Sequence, residues 1–337
     1  MLKVKSKHSL VLVLVLVLVL MLDPPVLALG KPRPAPGRTS VKRMAAKYGF
    51  PTPRTDKDKF ILKSKYTQVT FHADSRKMLV NGMLIWLNGG AARGKRDWTV
   101  TAVDASRVVA PLLRPTDVTR PPKDRPIVID PGHGGEDTGA TVGRNVVEKH
   151  LVLDVAKKLL AAPPSRDVKL KLTRTGDAAL TLEQRADLAK KWNAALFVSV
   201  HMNSAPNKAA QGIETYVLPA AGFPSTSGQS NKTEMAPGNK HDAASSLLAY
   251  CLHKQLLTHT KCADRGIRRA RFDVLRDAPC PAILIECGFL SNAEERKRLL
   301  TKEYRKTIAK AIAAGLKEFL EKTKPAEEEK PGKKGAE

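Results

Sequence analysis

The chain reads as an α/β protein: an open, twisted, mostly parallel sheet flanked by helices, with a small α+β module ahead of it. From residue 126 onward, short runs rich in Val, Ile and Leu alternate with longer stretches of helical period. Between residues 41 and 115, apolar runs follow one another closely around an Asn81-Gly82 pair, a strong short-range hairpin signal. Proline-rich basic stretches bracket that module on both sides, the composition of linkers rather than of core.

Residues 1–28 have the layout of an export signal. Lys3, Lys5 and Lys7 precede an unbroken apolar run from Leu10 to Leu22, and Val26, Leu27 and Ala28 supply a small-residue cleavage site. These 13 apolar residues fall short of the about 20 that a spanning helix needs, which argues against a retained membrane anchor. No cysteine follows the run at the cleavage point, so a lipid anchor is not expected. Residues 29–40 are the first linker.

In the module, a short helix from Val41 gives way to strands around Phe60, Gln68–Phe71, Met78–Leu87 and Trp98. At about 75 residues it lies near the lower limit for an independent core. It loosely resembles the stalk-like repeat at the N-termini of copper amine oxidases and many wall-associated proteins. Residues 116–125 are the second linker. Beyond it, strands are expected at 127–130, 168–172, 196–200, 213–218, 272–275 and 282–285, and helices at 147–161, 181–192, 242–258, 292–300 and 303–321. Capping boxes open two of the helices, Thr181 with Gln184 and Ser291 with Glu294. The last helix presents Ile308, Ile312, Leu316 and Phe319 on one face and should pack on the sheet. Residues 323–337 are expected to be a disordered charged tail.

A formal charge of +25 calls for anionic surroundings. Export argues against nucleic acid, which leaves anionic envelope polymers or carboxylate-bearing glycan, unless the charge serves solubility alone. The four cysteines, Cys251, Cys262, Cys280 and Cys287, form no metal-knuckle spacing and read as structural, either paired or buried.

Four stretches carry the chemistry. His133 follows the run 127–130, Glu148 opens a helix, His201 closes the run 196–200, and Glu286 closes the run 282–285. In a parallel sheet, ligands gather beyond the carboxyl ends of the strands, so these side chains can converge. Two histidines and one carboxylate make a hydrolytic zinc set with its fourth position open to water, and a second carboxylate is left to move protons. A dinucleotide-binding reading of Gly132 and Gly134 fails, because the third glycine of that fingerprint is Asp137 here. His72, His150, His241, His253 and His259 stand alone and read as surface or core residues.

The ordered motifs Asp130-Pro-Gly-His133-Gly-Gly-x-Asp137-x-Gly139-Ala140, Glu148-Lys149, Ser199-Val-His201-x-Asn203, Arg265-Gly266-Ile267 and Glu286-x-Gly288-Phe289-Leu290-x-Asn292 resemble the zinc-dependent N-acetylmuramoyl-L-alanine amidases of bacterial cell walls, from about residue 126 to about 320. The resemblance implies one Zn2+ bound by His133, Glu148 and His201, with Glu286 as general base and acid rather than ligand. It implies an exported enzyme of the periplasm or envelope whose substrate is peptidoglycan, cleaved between N-acetylmuramic acid and L-alanine. Asp137 and Asn203 are expected to orient the histidines. Arg265, Arg268, Arg269 and Arg271 are either a clamp for stem-peptide carboxylates or a solvated loop. Residues 219–239 lack the apolar stripe of an occluding helix, so built-in inhibition is not expected, and an activator protein stays open. The same catalytic set would also serve a zinc peptidase or aminoacylase acting on another wall amide, and a non-catalytic wall-binding protein on this fold is a third reading.

Overall fold

The computed structural model describes residues 37–325 except 96, 144 and 228–232. The expected signal segment 1–28, residues 29–36 of the first linker and the tail beyond residue 325 lie outside the described residues.

One sheet of 13 strands organises the described residues. Its strands are β1 (Arg38–Ser40), β2 (Arg54–Asp56), β3 (Lys59–Lys63), β4 (Gln68–His72), β5 (Ser75–Val80), β6 (Met83–Arg93), β7 (Trp98–Thr101), β8 (Ile127–Pro131), β9 (Leu170–Leu172), β10 (Leu196–Asn203), β11 (Ile213–Val217), β12 (Asp264–Arg269) and β13 (Ala282–Phe289). They lie in the order β9-β8-β10-β13-β11-β12-β6-β5-β4-β3-β2, with β7 paired to β6 and β1 to β7. The longer helices are α1 (Val41–Lys47), α2 (Glu148–Ala161), α3 (Leu182–Lys191), α4 (Asp242–Thr260), α5 (Ala293–Leu299) and α6 (Lys302–Lys322).

Strands β9, β8, β10 and β13 run parallel and β11 runs antiparallel to β13. Their side chains are apolar on both faces because helices cover both. Ile127, Ile129, Val198, Val200, Ile283 and Ile285 share a core with Leu159 of α2, Leu252 of α4 and Ile312 and Phe319 of α6. Val128, Phe197 and Leu284 point the other way, into a smaller core with Ala189 of α3 and Val274. Helices α4 and α6 approach so closely that a side chain at Gly315 would lie 2.6 Å from the Leu252 Cα.

The first 80 described residues do not stand apart from the rest, as the two expected linkers would have them. From Gly37 onward the chain is a single compact unit. Strand β6 joins β12 in parallel, with Ile85 opposite Ile267, so the antiparallel strands continue the C-terminal sheet and cover an edge that would otherwise expose unpaired backbone. Asp264 fastens this seam. Its carboxylate accepts from Leu84 N at 2.7 Å and Gly266 N at 2.8 Å and lies 2.9 Å from Nε2 of the buried His253. Farther along, Asn88 accepts from Ala220 N at 2.8 Å and Arg269 donates to the Trp86 carbonyl at 2.9 Å. In the two expected linkers, Arg38–Ser40 form β1, and Thr119–Arg120 pair in parallel with Lys324–Pro325. The Asn81-Gly82 hairpin forms with both residues at positive φ, 51° and 86°.

Two local expectations are corrected, and the cysteine reading, paired or buried, is decided between its alternatives. Residues 272–275 are not a strand: Asp273–Arg276 form one helical turn, and the strand of this region is β12, which ends upstream at Arg269. The sequence Asp-Arg-Gly-Ile-Arg-Arg carries no alternating apolar pattern, so its strand conformation comes from pairing with β11 and β6 on either side. Helix α5 is capped by Asn292, which accepts from Glu294 N and Glu295 N, while the Ser291 hydroxyl accepts from Ala205 N. The cysteines are all free thiols: Cys251, Cys280 and Cys287 are buried and Cys262 is half-buried. Burial pushes Cys251 and Cys280 up to about 12, so neither is a nucleophile near neutral pH.

Replacing Asp264 by Ala should cost about 1–3 kcal/mol, because it strips the acceptor from two backbone donors and a buried histidine. Burial alone would raise the Asp264 carboxyl, but His253 and the Leu84 and Gly266 N–H groups hold it below its ordinary value. Its contribution is therefore present above about pH 4 and fades as the pH falls through the lower folded value. Urea midpoints for parent and variant should differ at pH 7 and converge on acidification; a difference that grows in acid would contradict this.

Candidate metal centre

The strand register brings the site together. Ser199 of β10 lies opposite Asp130 of β8, and His201 opposite Glu286 of β13, so three of the four chemical motifs end at one edge of the parallel sheet. His133 sits on the turn just past β8 with φ at 60°, a conformation that a non-glycine residue adopts only where its surroundings impose it. Two buried arginines impose it here. Arg174 donates to the carbonyls of Pro131 at 2.9 Å, Gly132 at 2.7 Å and Lys149 at 2.8 Å. Arg185 pairs with Asp130 at 2.7 Å and donates to the His133 carbonyl at 2.7 Å. Asp130 itself is held by Thr173 and Ser199.

Glycine is required at two points of close approach. A Cβ on Gly132 would lie 2.1 Å from the His201 ring, and one on Gly139 would lie 2.5 Å from both Glu148 and the His133 ring. The segment 139–140 then closes on Glu148, whose Oε2 accepts from Ala140 N at 2.8 Å.

Glu148 is the first residue of α2 and is only 3 % exposed. Its Oε1 accepts from Met202 N at 2.9 Å and lies 3.2 Å from His133 Nε2 and 3.0 Å from His201 Nδ1, and the two ring nitrogens are 3.1 Å apart. Burial alone would raise this carboxyl, but the hydrogen bonds and charge of His133 and His201 hold it far below the usual carboxylate range. For His133 burial works against the charged form, yet Glu148 and Asp137 together raise its pKa. The three ligand atoms form a near-equilateral triangle. Ligands of a tetrahedral zinc at bond lengths of about 2.1 Å are about 3.4 Å apart, so the observed triangle would need to open only slightly to become a zinc tripod. The donor set, two imidazoles and one deprotonated carboxylate, is that of catalytic zinc, and it fits the group. Among the described residues it is the only cluster of three or more such donors.

Glu286 lines the same cleft, about 560 Å3 in volume, with His133, Asp137, His201, Arg271 and Phe272. Its Oε2 is buried and has no hydrogen-bond partner among the described residues. Burial, reinforced by the negative charges of Glu148 and Glu214, raises its pKa well above the ordinary value. It is thus a carboxyl poised to exchange a proton and unattached to the donor triangle.

Of the surrounding residues named from the sequence, Asp137 has its Oδ2 2.8 Å from His133 Nδ1, which leaves Nε2 facing the triangle. Asn203, Arg265 and Arg268 all bind Glu214. Asn203 Nδ2 donates to Glu214 at 3.0 Å, Tyr216 OH at 2.7 Å, Arg265 Nε at 2.8 Å and Arg268 Nη1 at 2.6 Å. Asn203 therefore orients no histidine. Glu214 is buried on β11 directly across from Glu286, a position missed in the sequence because a single glutamate inside an apolar run carries no motif. Arg265 also stacks over the Phe289 ring at 4.9 Å.

The chain matches the family described as N-acetylmuramoyl-L-alanine amidase over residues 127–318. It is 34 % identical over 194 residues to the sporulation-specific N-acetylmuramoyl-L-alanine amidase of Bacillus subtilis, covering 57 % of this chain and 67 % of that one. It is 34 % identical over 217 residues to N-acetylmuramoyl-L-alanine amidase AmiA of Escherichia coli, covering 57 % and 75 %. Among solved structures, the catalytic domain of CwlV, an N-acetylmuramoyl-L-alanine amidase from Bacillus (Paenibacillus) polymyxa, superposes with a TM-score of 0.50 at 34 % identity, over 58 % of this chain and 98 % of that domain. The CwlD amidase of Clostridioides difficile, solved in complex with the GerS lipoprotein, gives 0.50 at 28 % identity, over 59 % and 99 %. The fold, the ordered motifs and these matches agree that the chain belongs to the N-acetylmuramoyl-L-alanine amidases, hydrolases of the peptidoglycan amide bond.

Proposed function

We propose that the protein is an exported, zinc-dependent amidase that cleaves peptidoglycan between the lactyl group of N-acetylmuramic acid and the L-alanine of the stem peptide. The observation that carries this reading is the division of labour between two glutamates: Glu148 is locked into the histidine triangle, while Glu286 faces the cleft with an unpartnered oxygen. His133, Glu148 and His201 would hold the metal. When bound there, zinc would supply Lewis acidity toward the scissile carbonyl and lower the pKa of water toward neutrality. Glu286 takes the proton from the attacking water and returns it to the departing alanine nitrogen, work that needs a group whose two protonation states are close in energy near operating pH. Asp137 fixes the His133 ring and so keeps Nε2 pointed inward.

Export is supported by the lysines and apolar run that precede residue 28. Among the described residues, no helix is long and apolar enough to cross a membrane. The +25 charge favours residence among anionic wall polymers, an attraction that salt would screen.

Digestion of purified sacculi followed by mass spectrometry should yield glycan ending in free lactyl carboxylates and peptides beginning with alanine. Fragments cut at another amide would favour a peptidase instead. A strong chelator should abolish this activity and zinc should restore it; full turnover by metal-free protein would remove the mechanism. Glu286→Gln keeps the shape but cannot accept a proton, and should lose about 10²–10⁴-fold in kcat while retaining zinc. Glu148→Ala should instead lower zinc occupancy. The opposite pattern of metal contents would reverse the two roles.

A further inference from the structure

Among the described residues, one arginine lining the cleft has no ion-pair partner. Five of the arginines in and around the cleft are already neutralised or enclosed. Arg265 and Arg268 both bind Glu214, at 2.8 and 2.6 Å. Arg269 is 2 % exposed and serves the backbone carbonyls of Trp86 and Leu218. Arg185 is paired with Asp130. Arg276, just beyond the cleft, is paired with Asp273 and lies 3.7 Å from Asp277.

Arg271 differs from all of these. It lines the cleft together with His133, His201 and Glu286, and no described carboxylate lies within ion-pair distance of it. Its guanidinium is held in place by two backbone carbonyls, Glu234 at 3.0 Å and Ala220 at 3.3 Å, and these use two of its five N–H donors. Its Nε is buried without a partner. Burial lowers its pKa, only partly offset by the more distant charges of Glu234 and Asp242. It also lines an adjoining cleft of about 620 Å3 shared with Met235, Pro237 and Arg276, so it stands where one cleft passes into the next.

We propose that Arg271 is the carboxylate-recognition residue of this cleft and receives the free carboxylate that the stem peptide carries close to the scissile amide. The inference rests on the amidase reading above. On the glycan side of that bond there is no free carboxylate, because the lactyl carboxyl is itself the acyl half of the amide; the anion nearest the reacting atoms belongs to the residue that follows alanine. A planar, oriented guanidinium is the group that reads a carboxylate through two parallel hydrogen bonds. Arg265 and Arg268 have the same chemistry, but Glu214 already occupies them.

The test uses the zinc-loaded full mature chain and two soluble muramoyl peptides that differ only in the residue after alanine, which carries either a free carboxylate or the corresponding primary amide. The parent should prefer the acid by about 10- to 100-fold in kcat/KM, the usual worth of hydrogen bonds to a charged group. Arg271→Gln should bring that ratio close to 1, mainly through KM, with zinc content and melting temperature near those of the parent. Arg271→Lys, which keeps the charge without the fork, should give an intermediate ratio and carries the test if the glutamine variant loses its metal. A parent without preference, or variants that slow both peptides equally, would overturn the assignment while leaving the amidase reading intact. A parent that cuts neither peptide at the muramoyl amide would remove both.

Discussion

The site depends on one buried carboxylate. Glu148 is almost wholly removed from water, and an ionised carboxylate in such a place is sustained only if every lone pair finds a donor or a positive charge. It receives two backbone N–H groups, from Ala140 and Met202, and stands at the N-terminus of a 14-residue helix whose dipole favours negative charge. The two imidazoles complete its shell. Because the backbone donors are fixed by the segment 139–140 on one side and by β10 on the other, Glu148 is positioned before any ligand arrives. The histidines are positioned relative to it, and that preorganisation makes the triangle a site rather than a chance gathering of polar groups.

The frame around Glu148 is built from the same economy of buried polar groups. Arg174 and Arg185 use their guanidinium forks to tie down carbonyls of the turn that carries His133, and Asp130 neutralises Arg185 at the end of β8. On the other flank Glu214 gathers Asn203, Tyr216, Arg265 and Arg268 beside Glu286. Behind that flank the antiparallel strands β2–β6 extend the sheet, and Asn88 and Arg76 reach the loop 220–225 that borders the Arg271 side of the cleft. The N-terminal strands thus buttress the catalytic half directly.

Much of this was legible in the sequence, for physical reasons. The continuous apolar runs of β8, β10 and β13 announce a sheet covered on both faces, and a histidine or glutamate at the end of each run has one place to go, the carboxyl edge. The four chemical residues and Asp137 follow from that pattern together with the family resemblance. What stayed hidden is decided by partners distant in sequence. Residues 264–269 lack an alternating pattern and become a strand only between β11 and β6, and Glu214 gains its meaning from arginines 51 and 54 positions away. The second linker reads as linker because its prolines and charges suit a surface strap, yet Arg120 donates to the Leu320 carbonyl and its neighbours pair with residues near the end of α6. The cluster of four arginines looked uniform, although burial and Glu214 give its members three different roles.

The most direct test of the account is a crystal structure of the zinc-loaded protein, with the metal located from anomalous scattering at the zinc edge. The account predicts a single zinc within about 2.0–2.2 Å of His133 Nε2, His201 Nδ1 and a Glu148 carboxylate oxygen, with Glu286 outside that shell and facing the open position. A zinc coordinated by Glu286 in place of Glu148, or bound elsewhere on the chain, would contradict it.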